Sequence, residues 1–149
     1  MLEAHESQCE PNARIIVCKD KGNPCKYRGK NAARNRVRKY RIDGEVICGT
    51  KCQRCDYLVL NDNRKRAFLI ELKACGHVVD ALPQFASTEK LLAKELQGYQ
   101  HFYRIIYTAR SHSVNDSRIL KWKRDHGRVG KIPVAYASQM QYEEDIDWE

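Results

Sequence analysis

Three residues in the middle of the chain have the types and spacing of a metal-dependent hydrolytic site: Asp56, Glu71 and Lys73. Asp56 opens the apolar run Asp-Tyr-Leu-Val-Leu (56–60), and Glu71 and Lys73 close the run Ala-Phe-Leu-Ile-Glu-Leu-Lys (67–73). Side chains alternate across a strand, so Glu71 and Lys73, two residues apart, project from one face. The connector Asn-Asp-Asn-Arg-Lys-Arg (61–66) is rich in turn formers, which makes the two runs a β-hairpin. Centring that hairpin between positions 63 and 64 gives pairs whose numbers sum to 127 and sets Asp56 opposite Glu71. Cross-strand Cβ atoms lie about 4.5–5.5 Å apart, close enough for two carboxylates to share one hard divalent cation. Without a cation the pair is costly, because like charges repel and burial penalises both.

Mg²⁺, with Mn²⁺ as a substitute, takes oxygen ligands and keeps waters. Asp56, Glu71 and the Leu72 carbonyl would therefore leave positions for water and a phosphate oxygen. Lys73 would hold or deprotonate the attacking water, or stabilise the charge building in the transition state. The chemistry these types support is phosphodiester hydrolysis. The rival reading is an ordinary ion pair at solvated strand ends, since a loose Asp…Glu-x-Lys pattern recurs by chance in a chain with 31% charged residues. The apolar flanks of all three residues favour the site.

Both hairpin strands are apolar on both faces, which predicts central strands of a covered sheet. After Gly76 the period changes to that of a helix over 81–97, with Asp80 as N-cap, Pro83 in the first turn, Gly98 as the stop and Leu82, Phe85, Leu92 and Leu96 as the buried stripe. Phe102–Thr108 and Ile132–Ala137 read as further strands, Arg14–Cys18 as a short early one, and Val37–Ile47 as a strand bent at Asp43-Gly44. The order β-β-α-β indicates an α/β fold, with a mixed central β-sheet flanked by helices. A length of 149 residues suits a single domain, 1–149.

The charge is unevenly spread. The segment 26–41 holds eight Lys or Arg and no acid, whereas the tail 143–149 holds five acids; removing those five from a net +8 leaves +13. A basic stretch of this kind is the footprint of phosphate contacts, so Arg34, Arg36, Arg38 and Lys39, with Lys90 and Lys94 one turn apart on the helix, are the candidate nucleic-acid contacts. The expected partner is nucleic acid, DNA in the first instance; a homodimer is compatible with the sequence. The acidic tail is expected to be mobile, either folding back over the basic surface or staying free as a solubilising segment. No apolar stretch approaches the roughly 18–20 residues of a membrane span, and no basic-then-apolar leader opens the chain, so a cytoplasmic protein is expected.

At Cys-Asp56-Tyr-Leu-Val-Leu and Phe-Leu-Ile-Glu71-Leu-Lys73, followed by a helix carrying Gln84 and Thr88, the chain resembles the PD-(D/E)xK nuclease superfamily over roughly Val37–Thr108. The resemblance implies a restriction-endonuclease-like core, a mixed sheet with Asp on one strand and Glu-x-Lys on the next. It further implies metal binding by Asp56 and Glu71, a catalytic Lys73, and a polar residue near the site at Gln84. Two departures stand out: no Pro precedes Asp56, and the upstream acid that many members carry is not located, with Glu45 and Glu10 the candidates.

Seven cysteines, an odd count with no export signal, argue against a disulfide framework. Cys48, Cys52 and Cys55 form the closest cluster and could join a structural Zn²⁺ site, but no second pair at metal-ligand spacing accompanies them. Cys55, next to Asp56 in a strand, is expected on the opposite face as a small core residue. The competing functions are a non-catalytic zinc-containing nucleic-acid-binding module and an interaction protein whose acidic tail imitates a polyanion.

Overall fold

The structure, a computed structural model, describes residues 2–46, 53–74, 76–108, 111–112, 117–125, 134–135 and 141–149. In chain order the elements are a 3₁₀ segment Leu2–Gln8, β1 (Ile15–Lys19), β2 (Lys26–Lys30), β3 (Val37–Arg41), β4 (Tyr57–Asn61), β5 (Arg66–Lys73), β6 (Gly76–His77), a 3₁₀ turn Val78–Asp80, α1 (Ala81–Leu91), β7 (Gln100–Tyr107), β8 (Ser111–His112), α2 (Ser117–Asp125), β9 (Val134–Ala135) and β10 (Gln141–Asp145).

β4 and β5 form the expected antiparallel hairpin, with Tyr57 facing Ile70 and Asn61 facing Arg66, so the pairs sum to 127. Lys65 takes a left-handed backbone (φ 52°) as the turn closes into β5. Every residue of β4 is buried, as continuous apolar runs require of central strands. These strands lie inside a five-stranded sheet of order β3-β4-β5-β7-β9. β3, β4 and β5 run antiparallel, whereas β7 is parallel to β5 and β9 parallel to β7. The mixed α/β class is as expected.

The cover differs from the expected helices on both faces. One face packs against α1, with Phe85, Leu92 and Leu96 joining Leu58, Leu60, Leu69 and Ile105. The other packs against a second sheet of order β1-β2-β10, through Ile16, Cys18, Tyr27 and Ile146 against Val59, Phe68 and Ile70. That second sheet joins the two segments that charge alone had set apart. Gln141, Glu143 and Asp145 stand opposite Lys26, Arg28 and Lys30, with Glu143 Oε1 4.0 Å from Arg28 Nε and Asp145 Oδ1 3.7 Å from Lys30 Nζ. The alternate residues Tyr142, Glu144 and Ile146 turn inward, and Gly29 leaves room for Ile146, whose Cγ2 lies 3.1 Å from where a Cβ would stand.

The acidic segment is therefore not a mobile tail: it is strand to Asp145, and beyond it Asp147 accepts from the Ala33 N–H at 2.7 Å. Glu144 takes the Arg104 guanidinium in a two-pronged pair (2.5 and 2.9 Å), and Trp148 covers Arg66 at 3.8 Å while meeting Phe68 and Phe102 edge-on. α1 is shorter than 81–97. It ends at Leu91 and continues as turns to Gly98 (φ 85°), and Asp80 caps nothing with its side chain because it ends the preceding 3₁₀ turn. The stripe survives because the Leu96 N–H still bonds the Leu92 carbonyl at 2.9 Å, one isolated turn that keeps both leucines in the core. Of the expected strand at 132–137, Val134–Ala135 is β9 and the other residues lie outside the described ones. No helix among the described residues is long and apolar enough to cross a membrane.

Candidate active site

The hairpin register carries on past β4 to set Asp56 across from Glu71, but Asp56 itself lies just before the strand. Its side chain replaces the missing ladder acceptor: the Leu72 N–H donates to Asp56 Oδ2 at 2.7 Å. The preceding residue is fixed from the helix layer, because the Cys55 N–H donates to Thr88 Oγ1 (2.9 Å), whose hydroxyl donates to the Gln84 carbonyl (2.8 Å). Strand alternation consequently does not extend through 55–56. Cys55 is buried as expected, yet it belongs to the helix-side core and not to the opposite face.

Glu71 is 4% exposed. With its amide nitrogen turned toward the carboxylate, Gln84 donates to Glu71 Oε1 at 3.3 Å and to the Asp80 carbonyl at 3.0 Å, while Glu71 Oε2 has no partner among the described residues. Lys73 is partly buried, two residues along the same strand. The Leu72 side chain lies in the core of the other face, and its carbonyl accepts from Asn23 Nδ2 at 3.0 Å, which leaves one lone pair for any further ligand.

Burial pushes the Asp56 carboxyl up to about 6; the Leu72 N–H pulls against this, Asp20 and Asp43 add to it, and Lys73 opposes it. Burial, reinforced by the Asp56 charge, holds the Glu71 carboxyl well above the usual range, against the pull of Lys73 and the Asp56 N–H. Two facing carboxylates that both favour a proton, one with a donorless oxygen, fit a small hard cation in place of that proton. Among the described residues no three His, Cys, Asp or Glu converge closely enough to hold a metal on their own. Asp56 and Glu71 would thus supply two ligands, with waters and substrate completing the shell as Mg²⁺ prefers.

Asp20 and Asp43 were not legible as neighbours of the site. Asp43 pairs with Arg54 at 2.8 Å, and Asp20 accepts from the Tyr57 hydroxyl at 2.8 Å. Asp43 arrives because β3 and β4 pair Arg41 with Tyr57, and the Ile42 N–H bonds the Asp56 carbonyl (2.8 Å), so the bend after β3 meets the residues before β4. That register follows from no turn between the two strands, since residues 42–56 separate them. Glu45, one of the two candidate upstream acids, is exposed and 4.0 Å from Arg41; Glu10, the other, is exposed and bends the chain before β1.

The basic candidates disperse. Arg38 is clamped on Asp62 (both contacts 2.9 Å) with the Tyr40 and Tyr99 hydroxyls beside it, and Lys39 donates to the Val17 carbonyl at 3.0 Å on the other side of the sheet. Both are engaged inside the protein. Arg36 is exposed, 3.4 Å from Asp62, and Arg34 is exposed in the turn before β3. Asp62 stands six positions along from Asp56, roughly 20 Å at about 3.3 Å per residue, so this cluster lies at the far end of the sheet from Glu71. Lys90 and Lys94 are exposed on and just past α1. Cys48 and Cys52 lie outside the described residues, while the Cys55 thiol faces the Tyr57 carbonyl at 3.5 Å and burial pushes its pKa up, the protonated form of a core thiol.

A hollow of about 560 Å³ lies elsewhere among the described residues, between the two sheets beside Phe102, Tyr142 and Trp148. Its charged floor is the satisfied Arg104–Glu144 pair, so it offers no reactive group. No family model, curated protein or solved structure matches the chain. The reading of the site rests on its own chemistry.

Proposed function

We propose that this protein is a metal-dependent nuclease of the PD-(D/E)xK type, hydrolysing phosphodiester bonds of nucleic acid, DNA in the first instance, at Asp56, Glu71 and Lys73. Glu71 carries the reading: a carboxylate 4% exposed, on a central strand, opposite a second carboxylate, with one oxygen lacking a donor. A bond to the Leu72 N–H gives Asp56 a structural reason to exist; the Gln84 amide and the Asp56 N–H reach Glu71 but leave one buried oxygen without a donor, where an apolar residue would be cheaper to bury. The mixed sheet supports the reading too, with Asp56 at the head of β4, Glu-x-Lys ending β5, and α1 delivering Gln84 to Glu71 before β7 returns parallel to β5.

Asp56 and Glu71 would hold Mg²⁺, which when bound supplies a Lewis acid for the phosphoryl oxygen and lowers the pKa of water. Gln84 orients the Glu71 carboxylate. Lys73, whose charge reaches both carboxylates, sits where it can hold the attacking water or face the charge developing on phosphate. The test is cleavage of a panel of single- and double-stranded DNA and RNA with Mg²⁺, wild type beside Lys73→Ala. Cleavage by the wild type and none by the variant is expected; equal cleavage by both would reject Lys73, and none by the wild type on any substrate would reject the function.

A further inference from the structure

Much of the charge in the basic segment 26–41 is neutralised within the fold: Arg28, Lys30, Arg36, Arg38 and Arg41 each have a carboxylate within 4.0 Å. α2 differs. Its nine residues, Ser-Arg-Ile-Leu-Lys-Trp-Lys-Arg-Asp, hold four basic side chains against one acid. The helix is amphipathic, with Ile119 buried in the helix-side core and Trp122 packed there, while Arg118, Lys121 and Arg124 face solvent. Among the described residues neither Lys121 nor Arg124 has a carboxylate partner, and with Ser117, Arg118 and Leu120 they line a shallow hollow of about 460 Å³.

The position of α2 gives that surface its meaning. Trp122 stacks with Phe85 of α1 (6.1 Å) and meets Tyr103 of β7 edge-on (4.8 Å). Phe85 follows Gln84, the residue that reaches Glu71, and Tyr103 pairs with Leu69, one side-chain repeat or about 7 Å along β5 from Glu71. α2 therefore lies on the same face of the sheet as the carboxylate pair, about one helix diameter of roughly 10 Å away, whereas Arg34 and Arg36 lie at the far end.

We propose that the exposed basic face of α2, through Lys121 and Arg124, is the surface that holds the phosphate backbone of the nucleic acid, an assignment that rests on the nuclease reading for the identity of its partner. A polyanion is the occupant that charge selects: Lys121 and Arg124 project one turn apart from an exposed face, and backbone phosphates are the anions that such long cations neutralise. The helix does not read sequence, because its long flexible cations contact backbone and not base edges.

The experiment measures duplex DNA affinity as a function of salt in EDTA, for the full chain and for Lys121→Gln/Arg124→Gln, with Arg34→Gln/Arg36→Gln as the comparison. Losing two phosphate contacts lowers the log–log slope by about 1.8 and weakens binding by tens of fold near 0.1 M salt. The unfolding temperature should stay with the wild type, since both side chains are exposed. A slope equal to wild type in the α2 variant, or one that falls only in the Arg34/Arg36 variant, overturns the proposal. Mg²⁺-dependent cleavage by the wild type, measured in parallel, separates the two readings. Cleavage with an unchanged slope sinks the α2 surface alone; a lowered slope without cleavage sinks the nuclease alone.

Discussion

Replacing Asp56 by Asn separates a carboxylate kept for chemistry from one kept as a strand cap. Burial lifts the folded-state Asp56 carboxyl from 3.8 to about 6. About two pH units at roughly 1.4 kcal/mol each is on the order of 3 kcal/mol. The sign follows from proton binding: between those two values the folded state holds the proton that the unfolded state has lost. Stability is therefore highest at low pH and falls as pH rises from about 4 to about 6, and above that the ionised carboxylate destabilises the fold by the full amount. Glu71 moves the same way. Asn keeps an oxygen for the Leu72 N–H but accepts more weakly and adds an amide that needs a partner, which takes back about 1 kcal/mol.

In EDTA near pH 7.5, Asp56→Asn should then be more stable than wild type by about 1–3 kcal/mol, or about 2–10 °C in Tm for a chain of this size. Near pH 4, where the folded wild type holds the proton, that gain should vanish and the variant should be less stable by about 1 kcal/mol. Thermal unfolding followed by circular dichroism across that range checks it, and saturating Mg²⁺ should stabilise the wild type and not the variant. A variant less stable than wild type by the same margin at both pH values would refute the reasoning, since Asp56 would then be a favourable cap with no electrostatic cost.

Arg38→Gln should cost about 1–3 kcal/mol in urea unfolding, because it breaks the clamp on the partly buried Asp62, and should change the salt dependence of nucleic-acid binding little. Glu144→Gln leaves Arg104, 5% exposed, without its two-pronged partner and should cost about 3 kcal/mol or more by the same measurement. Removing residues 141–149 takes out β10 and Trp148, so the truncated chain should lose its cooperative thermal transition instead of binding substrate more tightly.

The hairpin and its register were legible because a polar six-residue connector between two apolar runs leaves one centred alignment, and a slip by one residue would turn Glu71 and Lys73 to the other face. The positions of Glu71 and Lys73 on one face followed from that register, whereas Gln84 beside Glu71 was implied only by the family resemblance. The second sheet was not legible, because Lys-Tyr-Arg-Gly-Lys and Gln-Tyr-Glu-Glu-Asp read as charge runs when taken separately. Their period-2 inward sets, Tyr27 and Gly29 with Tyr142, Glu144 and Ile146, identify them as two half-buried strands of opposite charge, a signal that could have been found. Asp20 and Asp43 were beyond reach, since they approach Asp56 through a strand pairing that no short turn dictates. The end of α1 was misplaced because buried leucines at four-residue spacing report which side of a segment faces the core, and an isolated turn satisfies them as well as a continuous helix.

The most direct test of the central claim is the Mg²⁺ titration of nucleic-acid cleavage by wild type and by Glu71→Gln, both shown folded by their near-ultraviolet circular dichroism. Glu71→Gln is nearly isosteric and removes the repelling charge, so it should fold at least as stably as wild type while losing cleavage by a factor of about 10² or more at every Mg²⁺ concentration, as expected when a carboxylate that would hold the metal is lost. Wild-type rates in Glu71→Gln at the same Mg²⁺ dependence would contradict the assignment of this carboxylate pair as the active site.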